Sequence, residues 1–179
     1  MNSADFDILS LRHRDFVSFS KMKILIVDDE PVNVALLEEM LSEAGYSRFQ
    51  SLTDSRLVLT TCETFDPDLV LLDLMMPNPD GFSILGSLRA APDETFLPII
   101  VLTADINEET KRRALLAGAS DFLLKPFDQL EVLLRIGNLL ETRRLYRQLD
   151  NQRAAFEDAV HARSLELREA NSRLQTDPG

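Results

Sequence analysis

The 179-residue sequence predicts an α/β fold: a doubly wound, five-stranded parallel sheet followed by one long C-terminal α-helix. Three observations predict it. Short runs that are almost wholly apolar and rich in β-branched residues recur at 23–27, 69–72 and 98–102, the composition of strands covered on both faces. Stretches of helical character separate them, and alternating β and α units imply parallel strands joined by right-handed crossovers. Finally, the helical pattern that begins near Asp128 does not stop where a domain helix would.

Residues 1–21 show no clear period and are read as a flexible N-terminal arm without assigned function, with Met22 an alternative start. His13, within that arm, has no plausible partner. The first strand, 23–27, leads into a helix over Pro31–Ala44, whose proline suits a first turn and whose successor Gly45 suits a C-terminal cap. A weaker strand is expected near Arg48–Leu52, then a helix over Ser55–Phe65. The third strand, 69–72, precedes a helix over Gly81–Ala90. The fourth, 98–102, precedes a helix over Glu108–Ala117 that ends at Gly118. A fifth, weaker strand is expected over Asp121–Leu124. Residues 22–138 therefore form the globular domain.

The remainder, 139–179, is expected to be helical, since no glycine or proline follows Gly137 until Pro178. A heptad seam at 139, 142, 146, 149, 153, 156, 160, 163, 167, 170 and 174 is apolar at eight of eleven positions, with Arg153 and Arg163 as defects. Those 36 residues would reach ~54 Å, too far to bury the seam on so small a domain. A coiled coil with a second copy, or a linker helix, is the expected use.

Composition narrows the function classes. Hydrophobic content of 45% and charged content of 27% are ordinary for a soluble globular chain. The single cysteine, Cys62, permits no internal disulfide, and no apolar stretch approaches the ~20 residues of a membrane span. A cytoplasmic protein is expected, with no membrane contact. The net charge of −11 lies wholly in residues 22–138, with 9 Lys/Arg against 20 Asp/Glu, whereas the flanks balance at 3 against 3 and 7 against 7. Direct nucleic-acid binding needs a clustered basic face and is not expected.

Function is read at the strand ends. Asp28 and Asp29 follow the first strand, Asp73 ends the third run, and Thr103 follows the fourth. In parallel α/β sheets ligands bind outside the carboxyl ends of the strands. Three carboxylates gathered there repel one another, so the cluster makes sense with a divalent cation or another charge partner.

Four strand-end motifs stand in order: Val27-Asp28-Asp29-Glu30, then Leu72-Asp73 through Met75-Met76-Pro77 to Asp80-Gly81, then Leu102-Thr103-Ala104, and Lys125-Pro126-Phe127. Thr103 lies 30 positions after Asp73, and Lys125 lies 22 after Thr103. In these features residues 22–138 resemble the receiver domain of bacterial two-component response regulators, of the CheY type. The resemblance implies a flavodoxin-like strand order 2-1-3-4-5. It implies Asp73 as phosphoacceptor and Mg²⁺ as cofactor, held by Asp29, Asp73 and the backbone carbonyl of Met75, with Asp28 acting through water. Lys125 and Thr103 would each contact a phosphoryl oxygen. Phosphorylation would draw Thr103 inward, and Phe122, three residues before the lysine, would rotate into the space behind it. Phenylalanine lacks a hydroxyl to anchor its outward state. The Lys125-Pro126 bond is expected to be cis, and the altered surface to be the fourth helix, fifth strand and fifth helix. A sensor histidine kinase or phosphotransfer protein would be the donor, and the C-terminal helix would make a homodimer.

The same residues admit other readings. Segments 138–146 and 163–171 look like linkers that join receivers to cyclic-di-GMP phosphodiesterase or kinase modules, which would make this the regulatory part of a larger enzyme. Haloacid-dehalogenase-type hydrolases share the nucleophile but need a second aspartate two positions on, where this chain has Met75. No enzymatic turnover is therefore expected beyond self-phosphorylation and dephosphorylation. His161 is followed by Ala162 rather than the acid usual in a phosphorylatable helix histidine, so it reads as a solvated position. An unphosphorylated scaffold dimerising through its tail is the last alternative. Met75 and Met76 are expected to pack from loop to core. Met75 and Asp105 flank the path of attacking water, and a bulky Met75 should prolong the phosphorylated state.

Overall fold

The computed structural model describes residues 21–90, 96–105 and 107–175. In chain order the elements are β1 (Ile24–Val27), α1 (Pro31–Glu43), β2 (Phe49–Leu52), a 3-10 turn (Ser55–Leu57), α2 (Val58–Phe65), β3 (Leu69–Asp73), α3 (Gly81–Ala90), β4 (Ile99–Thr103), α4 (Glu108–Leu116), β5 (Asp121–Leu124) and α5 (Gln129–Gln175). The five strands form one sheet in the order β2-β1-β3-β4-β5, and every neighbouring pair is parallel. This is the expected doubly wound fold. The arm expected over 1–21 falls outside the described residues except at Lys21.

The central strands β1, β3 and β4 are buried on both faces, which is why their sequences carry no alternation. Ile24, Ile26, Leu69, Leu71, Ile100 and Leu102 point to a core shared with Leu37 and Leu41 of α1 and Val132 and Ile136 of α5. Their neighbours Leu25, Val27, Val70, Leu72, Ile99 and Val101 point to a second core, with Val58 of α2, Ile84 and Leu85 of α3 and Ala114 of α4. Successive side chains on a strand face opposite ways, so covering both faces demands an unbroken apolar run.

Local chemistry sets the helix ends. The caps expected at Gly45 and Gly118 are present, with φ of +83° and +99° in the left-handed region that glycine enters freely. Asp66 ends α2 with φ of +49°, a conformation that Asp tolerates better than most residues. Asn107 caps α4 by accepting from the Glu109 N–H at 3.0 Å, and Asp128 accepts from the Glu131 N–H at 2.8 Å at the start of α5.

The chain divides into two compact units that meet between Arg143 and Arg144. The first keeps Leu140 and Arg143 buried. Arg143 lies 3.8 Å from the Asp68 carboxylate and donates to the Phe96 carbonyl at 2.6 Å. In the second unit α5 exposes the expected seam, with Leu149 at 61%, Phe156 at 69% and Leu167 at 58%. The seam defects Arg153 and Arg163 pair within the helix with Glu157 and Glu166, at 2.9 and 2.8 Å. The side chains of seam positions 170 and 174 lie outside the description. No helix among the described residues is long and apolar enough to cross a membrane.

Candidate functional site

Parallel strands deliver all their carboxyl ends to one edge, and the register decides what meets there. Val27 pairs with Leu72, so Asp28 and Asp73 follow side by side. Asp73 pairs with Leu102, which sets Thr103 one step beyond, and Thr103 pairs with Leu124, which sets Lys125 one step beyond again. The ladders reach into the loops through Asp28 N–H to Leu52 O at 3.1 Å, Leu74 N–H to Leu102 O at 3.1 Å, and Lys125 N–H to Thr103 O at 2.9 Å.

Asp28, Asp29 and Asp73 each bring a carboxylate oxygen within 4.8 Å of the others. Asp28 and Asp73 are buried, at 0% and 2% exposure, while Asp29 is half-buried. The Lys125 ammonium lies between the buried pair, 2.8 Å from Asp28 Oδ2 and 2.9 Å from Asp73 Oδ2. It donates a hydrogen bond to Asp73, and it makes an ion pair with Asp28 Oδ2, a buried oxygen with no further partner among the described residues. Partial burial pulls the Lys125 pKa down, but the two carboxylates outweigh it, and the ammonium holds its proton above the ordinary lysine value. The Lys125-Pro126 bond is cis as expected, and so is Asn78-Pro79, which sequence reading did not anticipate.

The donor set fits a hard divalent cation. It offers three carboxylates and no sulfur or imidazole, and the buried Asp28 Oδ2 faces only the Lys125 ammonium. Oxygen-only sites of this kind suit Mg²⁺. Around it, the Met75 N–H donates to Asp73 Oδ1 at 3.1 Å. Thr103 is 1% exposed, and its hydroxyl oxygen accepts from the Asp105 N–H at 3.0 Å, which leaves the hydroxyl hydrogen to be donated.

One expectation changes on contact with the structure, and one residue gains a contact that was not expected. Met76 is buried in the second core at 6% exposure, but the Met75 side chain is 70% exposed and packs into no core. The loop's turn after Asp73 aims one methionine in and the other out. Phe122, which has no hydroxyl to hold it, instead meets two cations with its ring. Its half-buried ring lies 5.1 Å from the Lys111 ammonium of α4 and 5.6 Å from the Arg135 guanidinium of α5. Arg135 is itself held by Asp121 at 2.6 Å and Glu131 at 2.6 Å. His161 is exposed on the helix, as a solvated position would be.

Two residues with a part in the site carried no role in the sequence reading. Gly81 begins α3 directly against the Asp73 backbone: a Cβ there would run into the Asp73 carbonyl oxygen and stand 2.6 Å from Leu74 Cα. Asn33, in the first turn of α1, donates its amide to Asp28 Oδ1 at 3.1 Å. Glycine at a helix start and a short amide beside a strand-end aspartate were the available signals.

Comparison with known proteins agrees with this geometry. The chain is 40% identical over 119 residues to Protein RcaC of Microchaete diplosiphon, covering 66% of this chain and 18% of RcaC. It is 30% identical over 173 residues to a probable cyclic di-GMP phosphodiesterase of Vibrio cholerae, covering 93% of this chain and 39% of the relative. The chain thus spans well under half the length of these two relatives. Among solved structures, the Francisella response regulator 1452 receiver domain superposes with a TM-score of 0.63 at 30% identity, covering 68% of this chain and 98% of that domain. The family description of the response regulator receiver domain matches residues 24–137, and with the acidic cluster, the threonine and the lysine at its strand ends, the chain belongs to that family.

Proposed function

We propose that this chain is a phosphorylation-controlled switch of a two-component system, with Asp73 as phosphoacceptor and a sensor histidine kinase or phosphotransfer protein as donor. The observation that carries the reading is the meeting of Asp28, Asp29 and Asp73 at one sheet edge, with the Lys125 ammonium 2.8 and 2.9 Å from two of them.

Asp29, Asp73 and the Met75 carbonyl would hold Mg²⁺ directly, and Asp28 would do so through water. The ion supplies charge that offsets repulsion between the acceptor carboxylate and the incoming phosphoryl oxygens. An Asp73 oxygen attacks phosphorus, a P–O bond forms, and the P–N bond to the donor imidazole breaks, the nitrogen keeping its electron pair. The Lys125 ammonium moves its contact from the carboxylate to a phosphoryl oxygen, and the Thr103 hydroxyl donates a hydrogen bond to another. Water later attacks phosphorus, inorganic phosphate leaves, and the Asp73 carboxylate is restored. The chain turns over no other substrate.

Phosphorylation brings nearly two negative charges to the edge. Thr103, at the end of β4, moves toward them, and Phe122 passes the change to α4, β5 and α5. Labelling with a small phosphodonor and Mg²⁺ tests this: wild type is labelled and Asp73→Asn is not. Equal labelling of both refutes Asp73 as acceptor.

The exposed seam of α5, with Leu149, Phe156 and Leu167 all more than half exposed, supports a coiled-coil homodimer as the output. The reading also places the chain in the cytoplasm, without direct nucleic-acid or membrane contact. Sedimentation of the chain with and without beryllofluoride, a phosphoryl mimic, tests the dimer; a monomer under both conditions refutes it.

A second reading makes the chain the regulatory part of a larger enzyme, with the tail as linker. It is favoured by the match to the Vibrio cholerae protein over 93% of this chain but 39% of that one. A reading frame that continues beyond Gly179 into a catalytic module would establish it, and a stop codon there would remove it.

A further inference from the structure

The two carboxylate oxygens of Asp28 have unlike surroundings. Oδ1 accepts from the Glu30 N–H at 3.0 Å and from the Asn33 side-chain amide at 3.1 Å. Oδ2 lies 2.8 Å from the Lys125 ammonium and has no further partner among the described residues. The terminal torsion of an aspartate is broad and nearly two-fold, so a single backbone donor leaves the carboxylate able to turn and present either oxygen. A second donor on the same oxygen, from a different direction, removes that freedom. Asn33 is placed to supply it because α1 begins at Pro31, a few residues after β1 ends. Its amide nitrogen must be the donor, since an ionised carboxylate only accepts.

We propose that Asn33 is a positioning residue of the cation site: it pins Asp28 Oδ1 so that Oδ2 is held toward Lys125 and toward a divalent cation. The proposal rests on the reading that the three aspartates hold Mg²⁺, and deepens it. Asn33 acts through Asp28 and touches no phosphoryl group. Partners of this outer kind orient ligand groups and set metal affinity.

The test uses the intact chain and Mn²⁺ as the probe, with free Mn²⁺ counted by electron paramagnetic resonance. Asn33→Leu keeps the side-chain size and removes the donor, and Asn33→Ala is the second variant should leucine disturb α1. Urea midpoints without metal confirm that each variant is folded. Either variant should bind Mn²⁺ about ten- to a hundredfold more weakly, the usual cost of removing a partner that orients a ligand group. In an Asp28→Asn background the same change should have less than about a twofold effect, because the group through which it acts has changed. Wild-type affinity in both variants, or an equal loss in both backgrounds, overturns the assignment. Asp29→Asn separates the two levels: if it leaves Mn²⁺ affinity at the wild-type value, the cation site itself is misplaced, and the role of Asn33 falls with it.

Discussion

Two glycines of α3 should respond to alanine with opposite signs. At Gly81 an added Cβ would run into the Asp73 carbonyl oxygen and stand 2.6 Å from Leu74 Cα and 2.9 Å from the Asp73 carbonyl carbon. All three are backbone atoms of the strand and turn that carry the acceptor, so none can yield as a flexible side chain would. The start of α3 must retreat, or the end of β3 must move. Overpacking of this kind costs about 1–3 kcal/mol, and the conformational gain of alanine over glycine returns about 0.5–1 kcal/mol. The expected net loss for Gly81→Ala is ~1–2 kcal/mol. At Gly86, exposed in the middle of the same helix, a Cβ meets nothing within 4 Å, so Gly86→Ala should gain about 0.5–1 kcal/mol. Urea denaturation of both variants measures the pair. Because the crowded atoms include Asp73's own, phosphorylation by a small phosphodonor should slow about tenfold or more in Gly81→Ala and hold in Gly86→Ala. Equal stability and equal labelling of both variants would refute the claim that Gly81 is required by contact with the acceptor.

Three further predictions concern the site and its switch. Lys125→Met leaves Asp28 and Asp73 buried without their ammonium, so the metal-free protein should lose about 3 kcal/mol at neutral pH, and added Mg²⁺ should restore more stability to the variant than to wild type. The pH dependence has a definite sign. The Lys125 pKa is raised on folding, so its contribution is fully present below the ordinary lysine pKa and is lost as pH rises through the folded value; chemical denaturation across pH 9 to 12 should show wild type losing this increment and Lys125→Met not. Met75→Asn replaces an exposed, bulky side chain beside Asp73 with a small polar one and should speed hydrolysis of the phosphorylated form, followed by its decay after removal of the donor; an unchanged lifetime would contradict the shielding argument. Finally, a double-mutant cycle of Lys111→Met with Phe122→Leu should give a coupling of about 0.5–1 kcal/mol, the worth of a cation on a partly exposed ring. Additive variants would show that charge does not hold the aromatic.

How much of this was legible beforehand follows from which interactions are local. The five strands were readable within a residue or two because burial of both sheet faces leaves no polar position in a run such as Leu69–Leu72. The acids at strand ends were equally readable, since parallel topology sends every strand's carboxyl end to one edge. The glycine caps at 45 and 118 were visible because their backbone requirement is local. The direct contacts between far partners were not, although the resemblance had named Lys125 for the site. Lys125 and Asp73 lie 52 residues apart in the chain, and their 2.9 Å contact depends on register across three strands.

The sequence by itself determined the fold class, the order of elements and the membership of the acidic cluster, because hydrophobic period and strand-end position are properties of short segments. Tertiary structure alone decided how those residues divide their work. It turned one oxygen of Asp28 to Asn33 and the other to Lys125, packed Gly81 against the Asp73 backbone, exposed Met75 while burying Met76, and set Phe122 between cations from two helices. Each of these is a side-chain orientation fixed by contact between elements distant in the chain, and such contacts exist only once the layers have packed.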